Sequence, residues 1–574
     1  MTPKLQTSNF NRACELNEVK LQTYIFCFLT SIFVLLFSQS LDAQVAPNKY
    51  QIYFNDKNVN QYTLSNPSEF LSQKALDRRT KQSIAVDELD LPISQYYVDS
   101  MISMGFVLLN KSKWFNSITV QTTDIGLLNS LSSVSFVKSY SKKKQVINNE
   151  NINNKFDFVY SENNALKNTL MDYGSGANQI QMLNGHVLHN LGFQGQGMII
   201  AIIDAGFINA NILTAFDSLR ANNQIIATRD FVDGDNNIYG HHDHGTMVFS
   251  IIGSNVPGSF IGTCPKANYI LLRSEDTSSE YVIEEFNWAS AAEYADSMGV
   301  DVINTSLGYN RFTDSSQDYT YNDLDGNTAP ITKAVDIASS RGMLVVVSAG
   351  NEGANSWHYV TVPADADSAL TVGAIDSNQN YASLSSTGLT SDGRIKPNIV
   401  AQGAGTTVYN QNGTLINGNG TSFAAPIITG LATCLWQAHP DLTNMQILEA
   451  IEKSASQYSN PDSLLGYGIP DFAVANLLLN NVSYNDVETE SFVKLFPNPF
   501  YDDLNIEFYS VDSQNVKFEL YSLLGNKILF ANYKLNVYSY NKIELQPDKN
   551  IASGIYILRI TSDTRTYEKL IVKD

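Results

Sequence analysis

The sequence predicts a doubly wound α/β domain that lies between two smaller domains. Residues 198–203 form a continuous apolar run, as expected of a strand that is buried on both faces of a parallel sheet. Residues 281–298 and 331–341 have the spacing of helices and alternate with further apolar runs. These runs are residues 300–303, 343–347 and 369–372. The alternation predicts parallel strands with helices on both faces of the sheet, over residues 166–479.

Length and composition indicate a folded protein of several domains. A chain of 574 residues is long enough for three or four domains, and 43% hydrophobic with 16% charged residues is typical of proteins with large cores. The formal charge of −20 argues against nucleic-acid binding, because few cations are available to neutralise phosphates. We therefore expect no nucleic-acid partner, and we expect a monomer.

The four cysteines predict neither a metal site nor a disulfide framework. No two of them have the spacing of metal ligands, and Cys14 and Cys27 fall in the N-terminal leader. Cys264 and Cys434 lie among apolar or small residues. We expect both to be buried thiols.

Residues 1–43 are typical of an export signal. The apolar run at residues 24–37 has the length of a signal-peptide core and is too short to span a bilayer. Lys20 precedes this run, and we expect cleavage after Ala43. A buried core helix is the alternative, but no amphipathic pattern accompanies the run.

Residues 44–165 predict a small α+β domain and a linker. Residues 50–54 and 117–121 alternate as strands do, and residues 92–105 form a helical pattern that leads into a strand at 106–109.

The end of this region is polar. Lys142, Lys143 and Lys144 precede an Asn-rich stretch at residues 147–155, which indicates an exposed linker. A basic triplet in a linker is usually solvated surface. In an exported precursor it is alternatively a junction for cleavage.

Polar residues at the carboxyl ends of the predicted strands are candidates for a site, because doubly wound sheets bind their ligands there. Asp204 directly follows the strand at 198–203. An aspartate in this position is commonly a turn residue. Burying a carboxylate beside an apolar strand is costly without a partner, however, and a histidine would be a suitable one.

Three histidines and an aspartate occupy residues 241–244. A metal site is one interpretation, but the side chains of adjacent residues do not converge on one ion. A solvated loop explains His241 and His242 more simply. His244 opens a predicted helix and is the member of the cluster that we select for a functional role.

Two further candidates follow strands. Asn351 comes after the strand at 343–347 between two glycines, where its amide could donate to a developing oxyanion or form a turn. Ser306, Leu307 and Gly308 follow the strand at 300–303. Their backbone could pair with an extended peptide in the manner of an added strand.

Ser422 lies in a run of small residues at the start of a predicted helix. The helix is indicated by its apolar face, Ile427, Ile428, Leu431 and Leu435. We place Pro426 in the first turn, where a missing N–H costs little. A serine at a helix start is usually a cap. It becomes a nucleophile only if the rest of the chain supplies a base, an orienting group and an oxyanion donor.

Taken together, five short motifs resemble the subtilisin family of serine peptidases. They are Asp204-Ala205-Gly206, His244-Gly245-Thr246, Ser306-Leu307-Gly308, residues 348–353 and residues 420–426. Their order, Asp then His then Ser, is the order of that family. The five motifs span about 220 residues and are specific in combination, whereas each alone is weak.

The resemblance implies a role for each residue. Ser422 would attack the scissile carbonyl to form an acyl-enzyme, His244 would act as base and then as acid, and Asp204 would orient the imidazole. Asn351 would donate to the oxyanion. Ala205 stands where the family more commonly has a hydroxyl residue, which removes one hydroxyl near the carboxylate but no catalytic group. No cofactor is required for this chemistry.

The resemblance also implies that a structural calcium ion is possible. Asp323 and Asp325, with Asn327, form one oxygen-rich loop. The other contains Asp233, Asp235 and Asn236. Neither loop has a full calcium-binding pattern, and a polar turn is the simpler interpretation of both.

Residues 44–165 occupy the place of the pro-domain of secreted subtilisin-like peptidases. The resemblance implies that this domain assists folding and acts as an intramolecular inhibitor until it is cleaved. We expect cleavage between about residues 145 and 180, within the polar segment that follows the predicted strands.

The last part of the chain predicts a small β-sandwich. Residues 480–491 are polar and acidic and indicate a linker, and residues 492–574 alternate as strands. Pro497-Asn498-Pro499, Gly554 with Tyr556, and a final strand flanked by lysines resemble the C-terminal sorting domain of the type IX secretion system of Bacteroidetes. The resemblance implies that this machinery is a partner and that the protein is secreted or held at the outer-membrane surface of a Gram-negative bacterium. A substrate-binding accessory module is the alternative.

Two classes of function follow. The favoured one is an exported serine endopeptidase that cuts polypeptides. The other is a catalytically silent protein that keeps the fold as a surface binding or adhesion module. The presence of Asp204, His244, Asn351 and Ser422 together favours the enzyme, because a silent scaffold would be expected to have lost at least one of them.

Overall fold

The computed structural model describes residues 45–141, 171–480, 491–510, 515–535, 539–547, 551–561 and 566–573. The predicted export signal, the basic triplet and the Asn-rich linker lie outside these residues. So does most of the linker expected at residues 480–491.

The N-terminal unit is the expected small α+β domain. Its elements are β1 (Lys49–Phe54), α1 (Gln73–Lys81), α2 (Gln95–Met104), β2 (Val107–Ser112), β3 (Ser117–Gln121), α3 (Ile125–Ser130) and β4 (Val137–Tyr140). The strands form one antiparallel sheet in the order β2-β3-β1-β4. Ile52, Val98, Met101 and Val120 from strands and helix build one core.

The central unit begins with short helices and contains most of the secondary structure. Its first elements are α4 (Ala177–Gln181), α5 (His186–Asn190), β5 (Ile199–Asp204), α6 (Asp217–Ala221), β6 (Ile225–Asp230), α7 (His244–Gly253), β7 (Asn255–Val256), β8 (Phe260–Ile261), β9 (Asn268–Arg273), α8 (Ile283–Met298) and β10 (Val302–Thr305). There follow α9 (Pro330–Ser340), β11 (Leu344–Ser348), β12 (Ala369–Ile375), β13 (Ile399–Gln402), β14 (Thr406–Tyr409), β15 (Leu415–Gly418), α10 (Thr421–Ala438), α11 (Asn444–Lys453) and α12 (Phe472–Leu479).

The main sheet has seven parallel strands in the order β13-β12-β11-β10-β5-β9-β6. From β5 the chain fills one side of the sheet with β6 and β9 and then the other side with β10 to β13. The strand order therefore reverses between β5 and β10, which confirms the doubly wound class. Ligands bind at such a reversal, outside the carboxyl ends of the strands.

Helices cover both faces of this sheet. On one face, Trp288 of α8 packs on β5 and Val335 of α9 packs on β11. On the other, Val248 of α7 and Ile427 of α10 pack on the opposite side chains of the same strands. Because both faces are covered, β5, β11, β12 and β13 are buried throughout, whereas the edge strand β6 is partly exposed.

One strand begins later than expected. The run at 300–303 predicted its start at residue 300, but the strand is Val302–Thr305. The backbone N–H of Val300 donates to the carbonyl of Ala295 at 3.1 Å and closes the end of α8. Gly299, with φ of 85°, makes the turn that this closure requires.

The two cysteines of this unit are free and buried, as expected. The sulfur of Cys434 lies 3.7 Å from that of Cys264 inside the core. No helix among the described residues is both long and apolar enough to cross a membrane.

The C-terminal unit is a β-sandwich, as expected. Its strands are β16 (Ser491–Phe496), β17 (Leu504–Ser510), β18 (Asn515–Ser522), β19 (Lys527–Lys534), β20 (Ser539–Leu545), β21 (Gly554–Thr561) and β22 (Thr566–Lys573). They form a sheet in the order β16-β17-β20 and another in the order β19-β18-β21-β22. Ile506 and Ile543 of the first sheet share one core with Phe518 and Leu558 of the second.

The N-terminal unit contacts α8 through a buried ionic network. Asp296 of α8 is fully buried and accepts from Arg78, Arg79 and Lys113 at 2.5, 2.8 and 2.9 Å. Burial acts to raise the pKa of Asp296, but the three cations outweigh it and lower that pKa to about 2. The carboxylate is therefore ionised, and the N-terminal unit supplies its counter-charges.

A second carboxylate of α8 faces the same unit. Glu293 accepts from the hydroxyl of Ser112 at 2.5 Å and from the backbone N–H groups of Lys113 and Trp114 at 2.7 and 3.1 Å. Burial raises the pKa of Glu293 to about 7 despite these donors and the nearby Lys113 cation. The contact between the two units thus encloses polar groups that need each other as partners.

Replacing Asp296 by Asn tests this network. We expect the change to lower the free energy of unfolding of the unprocessed full-length chain by about 3–5 kcal/mol, because Arg78 and Lys113 lose their buried ion-pair partner and Arg79 keeps only Asp90. Calorimetry of that chain measures the effect as a fall in its transition temperature.

Glu449→Gln is the matched control. Glu449 pairs with Lys453 at 2.6 Å, but the two side chains are 59% and 43% exposed. Loss of such a surface pair should cost about 0.5 kcal/mol or less. Equal shifts for the two variants would contradict the assignment of Asp296 as the centre of the contact.

Candidate active site

The carboxylate of Asp204 and the imidazole of His244 form a buried pair. Asp204 is the last residue of β5 and His244 the first of α7, and neither is exposed. Nδ1 of His244 lies 2.6 Å from Oδ1 of Asp204. The structure thus provides the partner that the buried aspartate was expected to require.

Gly245 allows this close approach. A Cβ atom at Gly245 would lie 2.4 Å from the carbonyl oxygen of Gly206 and 3.1 Å from Cβ of Asp204. Any larger residue there would push the start of α7 away from the end of β5. The glycine that follows His244 is therefore required sterically.

The two oxygens of Asp204 have different surroundings. Oδ1 also accepts from the backbone N–H of Ala205 at 2.7 Å. Oδ2 is buried and has no hydrogen-bond partner among the described residues. Ala205 has no hydroxyl to offer, which agrees with the hydroxyl expected to be missing at this position.

Ser422 lies in the first turn of α10 and exchanges two hydrogen bonds with Ser306. The Oγ of Ser422 donates to the carbonyl of Ser306 at 3.3 Å, and the Oγ of Ser306 donates to the carbonyl of Ser422 at 2.9 Å. Ser422 is 6% exposed. The contact joins the start of α10 to the segment that follows β10.

Pro426 explains why the carbonyl of Ser422 is available. We expected Pro426 in the first turn of the helix, but α10 begins at Thr421, so that Pro426 lies in the second turn. Its missing N–H is the one that would otherwise bond to the carbonyl four residues earlier, which is that of Ser422. Ser306 supplies the replacement donor.

The contact is supported by Asn304 and Thr429, which sequence reasoning missed. Nδ2 of Asn304 donates to Oγ of Ser306 at 3.1 Å, and Oγ1 of Thr429 donates to Oδ1 of Asn304 at 2.8 Å. All of these side chains are buried. The sequence offered one indication of this contact, which is the polar side chain of Asn304 inside the apolar strand β10.

Asn351 is oriented by Thr421, a third residue that sequence reasoning missed. Oδ1 of Asn351 accepts from the backbone N–H of Thr421 at 2.9 Å and from its Oγ1 at 3.0 Å. The N–H of Gly350 donates to the same hydroxyl at 3.2 Å. Because both donors of Thr421 face Oδ1, the Nδ2 group of Asn351 is left for another acceptor.

The segment Ser306-Leu307-Gly308 leaves the sheet beside Ser422. The side chain of Leu307 is buried and Gly308 is exposed. The backbone groups of Leu307 and Gly308 make no hydrogen bond to any other described residue. The segment therefore has open main-chain donors and acceptors on its outer side.

His241 and His242 serve other contacts. Nε2 of His241 lies 3.5 Å from Asp230 and 3.6 Å from Asp233. Arg273 donates to both of these carboxylates at 2.7 Å, so a cation already occupies the cluster and a metal ion does not fit. Nδ1 of His242 accepts from the backbone N–H of His244 at 3.1 Å.

The carboxylates named for calcium are used within their own turns. Oδ2 of Asp323 accepts from the N–H and hydroxyl of Thr320, at 2.7 Å each. Oδ1 of Asp325 accepts from the N–H groups of Asn327 and Thr328 at 2.8 and 2.7 Å. These contacts are those of caps and polar turns. A tighter acidic group, missed in the sequence, is Glu275 with Glu280 and Glu284, and the hydroxyl of Tyr309 donates to Glu275 at 2.6 Å.

A carboxylate–imidazole pair and a serine hydroxyl at the carboxyl edge of a parallel sheet define the class of serine hydrolases. Comparison with known proteins narrows this class. The subtilase family model matches residues 195–468, and the M-protease of Shouchella clausii is 30% identical over 291 residues. That match covers 50% of this chain and 67% of the relative. The chain belongs to the subtilase family and is a serine-type endopeptidase, and members of this family need no cofactor for catalysis.

Two further similarities agree with this assignment. Subtilisin E of Bacillus subtilis is 30% identical over 285 residues, which are 49% of this chain and 66% of that protein. The solved structure of the epidermin leader peptide processing serine protease of Staphylococcus aureus has a TM-score of 0.50 and 15% identity, and the match covers 77% of this chain and all of that one. The second likeness concerns the fold alone.

The flanking units match family models of their own. A propeptide domain of peptidase S8 from Bacteroidota matches residues 49–157, and a secretion-system C-terminal sorting domain matches residues 494–573. The protein is therefore made as a zymogen with a propeptide, and its type IX sorting domain directs its export. This outcome confirms both resemblances and replaces the alternative of an accessory binding module.

Replacing Ala205 by Ser should stabilise the protein. The new hydroxyl would lie next to the buried Oδ2 of Asp204, which has no partner among the described residues. We expect the free energy of unfolding to rise by about 1 kcal/mol. Urea unfolding of the purified chain measures the change. In an Asp204→Ala background the gain should vanish, and an equal gain in both backgrounds would show that the hydroxyl acts elsewhere.

Proposed function

We propose that the protein hydrolyses polypeptides through Asp204, His244 and Ser422 by way of an acyl-enzyme. The buried contact between Asp204 and His244 at 2.6 Å carries the proposal, because a serine hydroxyl is a weak nucleophile without an oriented base. With Nδ1 held by the carboxylate, the imidazole presents Nε2 for proton transfer.

In the first step, Oγ of Ser422 attacks the carbonyl carbon of the substrate while its proton passes to Nε2 of His244. The hydroxyl donates to the carbonyl of Ser306 at 3.3 Å, so this step requires it to turn from Ser306 to the imidazole. The contact with Ser306 is long, and turning away from it costs little. Asp204 then stabilises the imidazolium.

Negative charge develops on the substrate oxygen during this step. Nδ2 of Asn351 is the proposed donor, because both contacts with Thr421 engage the other end of the amide. A donor fixed before the reaction stabilises the tetrahedral intermediate without reorganising. Thr421 is thus a positioning residue.

The intermediate collapses when the imidazolium gives its proton to the departing amine. The peptide C–N bond breaks, and the acyl group remains on Ser422. A water molecule then attacks the ester while His244 takes its proton. The bond between the acyl carbon and Oγ breaks, His244 returns the proton to Oγ of Ser422, and the second product leaves as a carboxylic acid.

An extended substrate is proposed to pair with Leu307 and Gly308. Their backbone groups bond to no other described residue, so they are available to an added strand. This pairing would place the scissile carbonyl beside Ser422, because Ser306 and Ser422 are in direct contact.

We also propose the course of maturation. Residues 1–43 are removed as a signal peptide, residues 44–165 inhibit the domain at 166–479 until they are cleaved off, and residues 492–574 engage the type IX machinery. The buried ionic contact of α8 with the N-terminal unit supports an inhibitor that remains bound before cleavage. The mature enzyme is then secreted or held at the outer-membrane surface.

The role of Ser422 is tested with a serine-directed fluorophosphonate. We expect the wild type, once its propeptide has been cleaved off, to be labelled and to cleave casein, and the Ser422→Ala variant to do neither. Ser254→Ala is the matched control, since Ser254 is also buried but follows the far end of α7. A wild type that neither labels nor cleaves would instead support the silent binding protein.

The role of Asn351 is tested by its replacement with Ala. We expect kcat to fall 100- to 1,000-fold, or about 2.7–4 kcal/mol, with little change in KM, because the lost contact is made mainly in the transition state. Asn355→Ala, on the same loop and exposed, should leave both constants near wild type. A rise in KM alone would argue for a role in ground-state binding.

A further inference from the structure

Thr361 lies on a loop that packs between the two segments flanking Ser422. Its backbone N–H donates to the carbonyl of Ala349 at 3.1 Å. The next residue, Val362, exchanges backbone hydrogen bonds with Tyr309 at 2.8 and 3.1 Å. Thr361 is therefore held by main-chain contacts to both segments.

The side chain of Thr361 occupies the gap between Gly308 and Gly350. A Cβ atom at Gly308 would lie 2.1 Å from Oγ1 of Thr361, and one at Gly350 would lie 2.7 Å from the same atom. Gly308 is exposed, whereas Thr361 is only 4% exposed. The two glycines thus form the sides of a gap that opens outward, and Thr361 fills its inner end.

The hydroxyl of Thr361 does not stabilise the loop in an evident way. Oγ1 is buried and has no hydrogen-bond partner among the described residues. A buried hydroxyl without a partner is unfavourable for folding. A valine of the same shape would avoid that cost, so folding alone gives no reason for threonine at this position.

This inference rests on the proposed function, which places the bound substrate beside the gap. An extended substrate on Leu307 and Gly308, with its scissile carbonyl at Ser422 and Asn351, must run along one side of the gap. Alternate side chains of a strand point to opposite faces. In the inferred arrangement, the side chain of the residue that supplies the scissile carbonyl would point between Gly308 and Gly350, toward Thr361, and its neighbours would point away.

We propose that Thr361 limits the size of this substrate side chain. The peptidase cleaves after small residues, which are Gly, Ala and Ser, and excludes large aliphatic and aromatic ones. The space behind the two glycines is already filled by the γ atoms of Thr361, and core packing leaves little freedom for them to move.

The assay compares peptides that differ only in the residue before the cleaved bond, Ala or Phe. The enzyme is the wild-type chain after its propeptide has been cleaved off, with its active sites counted by fluorophosphonate labelling. For the wild type we expect kcat/KM to be at least 100-fold higher with Ala than with Phe, in the range that pocket size can supply.

Thr361→Gly should raise kcat/KM for the Phe peptide at least tenfold and change that for the Ala peptide less than threefold. Thr361→Val is the matched control, because it keeps the volume and removes the hydroxyl. It should keep the wild-type preference. Thr361→Ala tests the same point as Thr361→Gly, because it also removes the γ atoms but adds less freedom to the backbone.

Two results would overturn the proposal: a wild type that cleaves the Phe peptide as well as the Ala peptide, or Gly and Ala variants that keep the wild-type ratio while labelling fully. Failure of the proposed function is a different result, since Ser422 would then not label and neither peptide would be cleaved. The wild-type ratio decides the matter even if a variant does not fold.

Discussion

The exchange of hydrogen bonds between Ser306 and Ser422 is the contact on which the site depends. It fixes the start of α10 against the end of β10, at the point where the strand order of the sheet reverses. Pro426 makes it possible, because its missing N–H leaves the carbonyl of Ser422 without a donor inside the helix. The same contact places the proposed nucleophile beside the segment that is proposed to bind substrate.

The sequence was sufficient for the parts of the site that lie next to long apolar runs. Asp204 could be placed because it ends a strand that is buried throughout, Asn351 because it follows another such strand, and His244 because it opens a helix of regular pattern. Asn304, Thr421 and Thr361 could not. Their partners are distant in the chain, as Thr429 is 125 residues from Asn304, and no local pattern records such contacts.

Helix α8 shows a different limit of sequence reasoning. Its acidic residues are usual for a helix with one solvated face, yet Glu293 and Asp296 are buried. They are buried because the N-terminal unit brings Arg78, Arg79 and Lys113 to them, and neither unit alone encodes the contact. The fold class could be predicted from each segment separately. The contact between the two units could be recognised only when both were seen together.

This ionic contact suits the proposed maturation, in which the N-terminal unit binds tightly and is later removed. Replacing a buried ion pair with apolar residues is often neutral or stabilising, so such a pair is weak evidence for stability in itself. An apolar contact of the same area, however, would leave an exposed apolar patch on the mature enzyme. With Asp296 and Glu293, removal of the N-terminal unit returns carboxylates to water, where they are well solvated. In the proposed maturation the network would give specific docking in the precursor and leave solvated carboxylates beside Ile283 and Phe286, the apolar residues of α8 that also pack on the N-terminal unit.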